Sequence, residues 1–222
     1  TDTQIDLLSE NFSSSNTVKD NITTIISKVI NNQGYNDTIC VEYGRDHWTK
    51  DEISHTLKSL QLLDEYQILE ATFDIGTLTD NQIEKLSEEF ALSNTVKDNI
   101  TPIINKLIKN QGYTNLTIEE YDRDHWTSYE IYHTLRAFRI IAGEDILLGD
   151  NSDKLAHSMS RSVAINSITK ELLEEAIKDY SYEIEIQVLE NEEYAGEAGE
   201  IELKALFKAM KTLNEHNILS ST

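Results

Sequence analysis

Glu52-Ile-Ser-His55 and Glu130-Ile-Tyr-His133 each place a carboxylate and an imidazole three residues apart. On a helix, side chains at i and i+3 are neighbours on one face, so each pair could supply one edge of a divalent metal site. Zinc takes such nitrogen and oxygen ligands. Paired Glu-x-x-His motifs also occur in di-metal carboxylate bundles, where two further helices each add a Glu. If the two helices met face to face, Glu52, His55, Glu130 and His133 would form one shared site for iron or zinc. A metal-dependent oxidase or hydrolase is the function that such a site implies.

A second candidate lies just upstream. Arg45-Asp46-His47-Trp48-Thr49 recurs letter for letter as Arg123-Asp124-His125-Trp126-Thr127. Much of this string is explained by the start of a helix. Thr49 fits an N-cap with Glu52 as its reciprocal partner at N3, and Trp48 fits the hydrophobic staple on Ile53; Trp126, Thr127, Glu130 and Ile131 repeat the arrangement. A Glu occupied at a helix start argues against the metal reading, so no cofactor is expected. Left over are Arg45, Asp46, His47 and His55, with Arg123, Asp124, His125 and His133. These fall in a loop or off the apolar helical face, and are expected to line a binding surface twice over.

The elements that position them are also repeated. Thr1–Leu63 aligns with Thr79–Ile141 at a constant offset of 78 without a gap, and 37 of 63 positions are identical. The expected fold is mainly α with a minor β component: a tandem duplicated helical module over 1–75 and 76–150, followed by an α/β segment over 151–222 that could be a diverged third copy. The copies are expected to pack about a pseudo-two-fold or as neighbours in an array. Thr79 and Gln82 predict a capped helix to about Leu92, with Ile83, Leu86 and Phe90 buried and Ile5, Leu8 and Phe12 as their twins. Pro102 marks the start of the next helix, with Thr101 as its cap and Thr23 as the twin. Gly34 and Gly112 supply the stops. A short strand or helical turn is expected over 38–43 and 116–121, then a last helix over Lys50–Leu63 and Ser128–Ile141. In the third segment Ile168, Leu172, Ala176 and Ile177 mark a helix, Tyr182–Val188 alternates as a strand, and Leu203, Leu206, Phe207, Met210 and Leu213 mark a final helix.

Leu78–Phe90 resembles the entering helix of calmodulin-type EF-hands. The stretch that follows, Asn94–Thr101, lacks the D-x-D-x-D-G ligands and the closing Glu of that family, so no calcium site is expected. Phosphate-cradling, dinucleotide and hydrolase motifs are absent from the sequence. The lone Cys40 has Ile118 as its twin, a poor position for a nucleophile.

Composition sets the remaining bounds. The 222 residues carry a net charge of −21, spread as −8, −6 and −7 over 1–75, 76–150 and 151–222. Such a field repels nucleic acid and anionic membrane and attracts basic partners. No apolar run reaches the roughly 20 residues of a membrane span. With one cysteine and no visible leader, an intracellular, cytoplasmic setting is expected, a removed leader or signal-independent export being the alternative. The sequence therefore reads as an acidic interaction module (an inhibitor, adaptor or effector) that docks a basic protein; its oligomeric state is open.

Overall fold

Local capping and one apolar stripe per helix account for most of the elements. The computed structural model describes residues 1–15, 18, 20–32, 48–68, 70–119, 126–143, 152–166, 168–172 and 197–215. The first segment contributes α1 (Asp2–Ser14), α2 (Ile22–Asn32) and α3 (Lys50–Glu65). The second contributes α4 (Asp80–Leu92), the single turn α5 (Asn94–Lys97), α6 (Ile100–Asn110) and α7 (Ser128–Gly143). The third contributes α8 (Ser152–Ser160), the single turn α9 (Val163–Asn166) and α10 (Glu197–Glu215). Mostly helical is thus the right class, and no strand occurs among the described residues. The strand expected at 182–188, the segment at 38–43, the stop at Gly34 and Cys40 lie outside the described residues.

Thr79 caps α4 as expected: its hydroxyl accepts from the Gln82 amide at 3.3 Å, and Gln82 Oε1 accepts from the Thr79 amide at 2.9 Å. Ile83, Leu86 and Phe90 are all buried behind this start. Their counterparts on α1 are not. Ile5 is buried and Phe12 half-buried, but Leu8 is 42% exposed, which corrects its expected place in the core. α6 begins at Ile100, earlier than expected, so Thr101 is not its cap but a buried residue of its first turn. Pro102 is tolerated there because first-turn amides have no acceptor within the helix. Gly112, at φ 91°, ends α6.

Residues 116–119 form no strand. The Asn105 side chain serves the backbone of Ile118 instead, accepting from its amide at 2.7 Å and donating to its carbonyl at 3.0 Å. A side-chain amide thereby takes the place of a neighbouring strand.

Packing follows a simple order. α1 packs on α3, α4 on α7 and α8 on α10; in addition α3 packs on α4, and α7 on α8. The last helix of one segment thus lies against the first helix of the next, an arrangement of neighbours in a row. A 3-10 turn at Ile75–Thr77 leads into α4 and packs on α7. Trp48, Ile53, Leu86, Trp126, Ile131, Met159 and Phe207 belong to one continuous core.

Candidate functional site: the Glu-x-x-His helices

The hydroxyls of Thr49 and Thr127 begin the two motif helices, accepting from the amides of Glu52 and Glu130 at 3.2 Å in each case. Trp48 and Trp126 are both 1% exposed. The repeated string is therefore a helix start, at least over its Trp and Thr. Arg45, Asp46, His47, Arg123, Asp124 and His125 lie outside the described residues.

The second half of the expected capping box is not made. Instead of turning back to Thr49, the Glu52 carboxylate crosses to the next segment. There it accepts from the Asn94 amide at 3.1 Å, the Thr95 amide at 3.2 Å and the Thr95 hydroxyl at 3.3 Å. These amides are the first turn of α5, where donors have no intrahelical acceptor and negative charge is favoured. One turn along, Thr56 Oγ1 lies 2.8 Å from Ser93 Oγ, and Ser93 in turn accepts from the Val96 amide. Burial pushes the Glu52 carboxyl above the ordinary carboxylate value, and the Asn94 and Thr95 amides pull it part of the way back.

Glu130 makes the corresponding contact with the third segment. Its Oε1 accepts from the Ala164 amide at 3.1 Å and from Ser162 Oγ at 3.4 Å. Thr134 Oγ1 lies 2.7 Å from Ser162 Oγ, and Ser162 accepts from the Ile165 amide. Ser93, Thr95 and Val96 thus have Ser162, Ala164 and Ile165 as counterparts, 69 residues further on. α5 and α9 stand at the same offset, as do the starts of α7 and α10.

The two histidines differ. His55 Nδ1 sits 2.7 Å from Glu89 Oε2 of α4, partly exposed. His133, at the matching place, meets Ser158 Oγ at 3.4 Å instead of a carboxylate. It is 4% exposed, which corrects the expectation that it lies on a surface. The rings of Tyr129, Tyr132 and His157 surround it, with centroids 4.3, 5.2 and 5.5 Å away. Burial holds its pKa down at about 4, and His157, Arg136 and Arg161 act in the same direction. Around it Glu200 of α10 gathers charge: Arg161 Nη1 at 2.5 Å, Lys204 Nζ at 2.8 Å and His157 Nδ1 at 3.1 Å. The Lys204 bond, helped by Arg161 and His157 and opposed by burial, lowers Glu200 to about 2.

Glu52 and His55 therefore face α4 and α5, whereas Glu130 and His133 face α8 and α9. The four are engaged at two different contacts and not gathered into the shared site proposed from the sequence. Among the described residues no group of three or more His, Cys, Asp or Glu side chains could hold a metal ion. A carboxylate that accepts from two amides acts as a cap, and the chemistry of the pair is that of a joint between helices. Sequence reasoning missed Ser93, Ser162, Glu89, His157 and Glu200. The signal available was Thr56, which follows His55 and is identical in its twin Thr134; each meets a serine of the next segment as well as the Glu four residues before it.

No helix among the described residues is long and apolar enough to cross a membrane. Compared with protein-family models, curated proteins and solved structures, the chain matches none.

Proposed function

We propose that this chain is an acidic protein-interaction module that docks a basic protein partner. The observation that carries the reading is the net charge of −21, present in all three segments. Asp2, Asp6, Glu10, Asp51, Asp64, Glu65, Glu84 and Glu88 are exposed on helix surfaces, so the excess faces outward where a partner would meet it. Arg45, Asp46 and His47, with Arg123, Asp124 and His125, are the proposed contacts of finer specificity, since both triplets directly precede the Trp-Thr start of a motif helix in sequence. His55 keeps a partly exposed face beside Glu89 and joins them, while His133 would act only by holding α7 in place.

We read the framework as three tandem units, the first two related by an offset of 78 and the third by a further 69. The recurrence of a Glu carboxylate, a Thr hydroxyl and a capping Ser at both joints supports this reading. Function of this kind needs an extended display surface more than a pocket, and a row of units offers one.

The test is capture of partners from the native host on the immobilised full chain, eluted with increasing salt. Exposed charges are screened over about 10 Å at 0.1 M salt, so basic proteins released steeply between low and moderate salt are expected. Acidic partners, or retention that is flat with salt, would refute the electrostatic reading.

A further inference from the structure

The two joints differ in charge at corresponding places. Tyr129, Tyr132 and Arg136 of α7 share one stripe with His133, and His157 and Arg161 lie near it, on and just after α8. At the first joint the same places hold Asp51, Ser54 and Lys58 on α3, and Glu88 and Leu92 on α4. A tyrosine and a histidine thus stand where the first joint has two exposed carboxylates, and an arginine stands where it has a leucine.

The basic groups of the second joint run as one strip. The Arg136 guanidinium lies 5.9 Å from the centre of the Tyr132 ring. Tyr132 and Tyr129 both border His133, whose ring centre is 5.5 Å from that of His157. His157 and Arg161 in turn meet Glu200 near the start of α10, which Lys204 also holds. Much of the strip is open: Tyr129 is 54% exposed, and the side chains of His157 and Lys204 are each 39% exposed. Arg136 and Arg139 share Asp80, Arg161 and Lys204 share Glu200, and the exposed Asp153 and Lys154 offset each other. Among the described residues the strip therefore sets four cations against two carboxylates, within a chain of net charge −21.

We propose that this strip docks a short acidic peptide segment of another protein. Carboxylates complement the surplus guanidinium groups, and arginine pairs with them through two parallel hydrogen bonds. Tyrosine and arginine are the usual anchors of such contacts, and Tyr129 offers an exposed ring for an apolar residue of the segment. The strip crosses α7, α8 and α10 and does not close around a point, which suits an extended chain. A nucleic acid fits less well, because its charge continues past the strip onto the acidic remainder of the molecule. A second copy is disfavoured likewise, since it would bring its own charge of −21 against that remainder. This surface is opposite in sign to the one proposed above for a basic partner and does not rest on that reading.

The experiment titrates the full chain into a fluorescein-labelled synthetic peptide of Glu and Leu, about eight residues long, and follows anisotropy. Salt is set at about 0.15 M, where charges are screened beyond about 8 Å and direct contacts persist. Saturable binding with a midpoint below about 1 mM is expected. Tyr129→Asp and His157→Glu each add a carboxylate to the strip and should weaken it about 5-fold or more. Both side chains are largely open to solvent, so these variants should keep the helical circular dichroism of the parent. Lys109→Gln, which removes one exposed positive charge from α6, should leave binding within about 2-fold, because it lies off the strip. An oligothymidylate of equal charge should bind more weakly than the peptide. The proposal is overturned by no saturation at about 2 mM, by binding that ignores both strip substitutions, by an equal loss with Lys109→Gln, or by tighter binding of the oligothymidylate.

Discussion

Replacing Glu52 tests the joint between the first two segments. The residue is 6% exposed and accepts from two backbone amides and a hydroxyl. Glu52→Ala leaves those donors without a partner in a buried place. A hydrogen bond to a charged group contributes about 1.5–3 kcal/mol, and part of this is offset by no longer burying a carboxylate. A net loss of about 3 kcal/mol is expected. Glu130→Ala strands at least the Ala164 amide and the Ser162 hydroxyl, so a loss of about 2 kcal/mol or more is expected there. Glu52→Gln removes the buried charge but keeps only one acceptor oxygen, so one of the two amides meets an NH2 donor, and an intermediate loss of about 1–2 kcal/mol is expected. The assay is urea unfolding of each variant at fixed pH. Linkage adds a sign: the folded pKa of Glu52 is raised, so its contribution is fully present below the unfolded value and is lost as pH rises through the folded one. Glu52→Gln should therefore compare better with the parent at pH 7 than at pH 4. The reasoning fails if Glu52→Ala is as stable as the parent, or if Gln costs as much as Ala.

Further measurements probe the other groups. His133, held near 4 in the fold against an ordinary 6.5, favours its neutral form, so its contribution is present above 6.5 and lost as pH falls to about 4; up to about 3 kcal/mol is at stake. His133→Gln should flatten the stability profile in that window, whereas the lowered pKa of Glu200 acts only below 4.5; an unchanged slope would refute the assignment. Trp48→Ala and Trp126→Ala should each cost about 3 kcal/mol or more by calorimetry, both indoles being buried. Thr49→Ala and Thr127→Ala should each cost about 1 kcal/mol through loss of the helix cap. Tag-free protein analysed for iron and zinc should contain far less than one equivalent if Glu52 and Glu130 serve as caps; a stoichiometric metal would reinstate the carboxylate–histidine site.

The parts of this fold that could be read from the sequence are those decided within a few residues. Thr79 with Gln82, Thr49 with its own first turn, and the spacing of Ile83, Leu86 and Phe90 are local patterns with local causes. Glu52 shows the limit. At N3 of a helix its carboxylate has a nearby amide within reach, and the capping-box rule assigns it there. Two amides from 42 and 43 residues away offer more, and no local rule sees them. His133 was misplaced for a related reason: its helical face is polar in pattern, but the neighbouring segment covers it with Ser158 and His157. Leu8 erred in the opposite direction: the pattern marks it as core, yet it is 42% exposed while its twin Leu86 is buried. The joint at the third segment was obscured by divergence, since Ser162-Val-Ala-Ile165 shares only its first residue with Ser93-Asn-Thr-Val96.

The two joints are built alike but carry differently placed histidines, and this bears on how the molecule opens. Between α3 and α4 the contact includes a partly exposed His55–Glu89 pair; between α7 and α8 a buried histidine, held neutral, stands at the same place. Rows of units are held mostly by nearest neighbours, so they can fray by steps without unfolding as a whole. Acid near pH 4 charges His133 while the raised Glu52 carboxyl keeps its contribution, so the third segment should loosen while α1 to α7 stay closed. Amide exchange would then divide the chain into two populations along the α7–α8 seam, making that seam a release point within a single polypeptide.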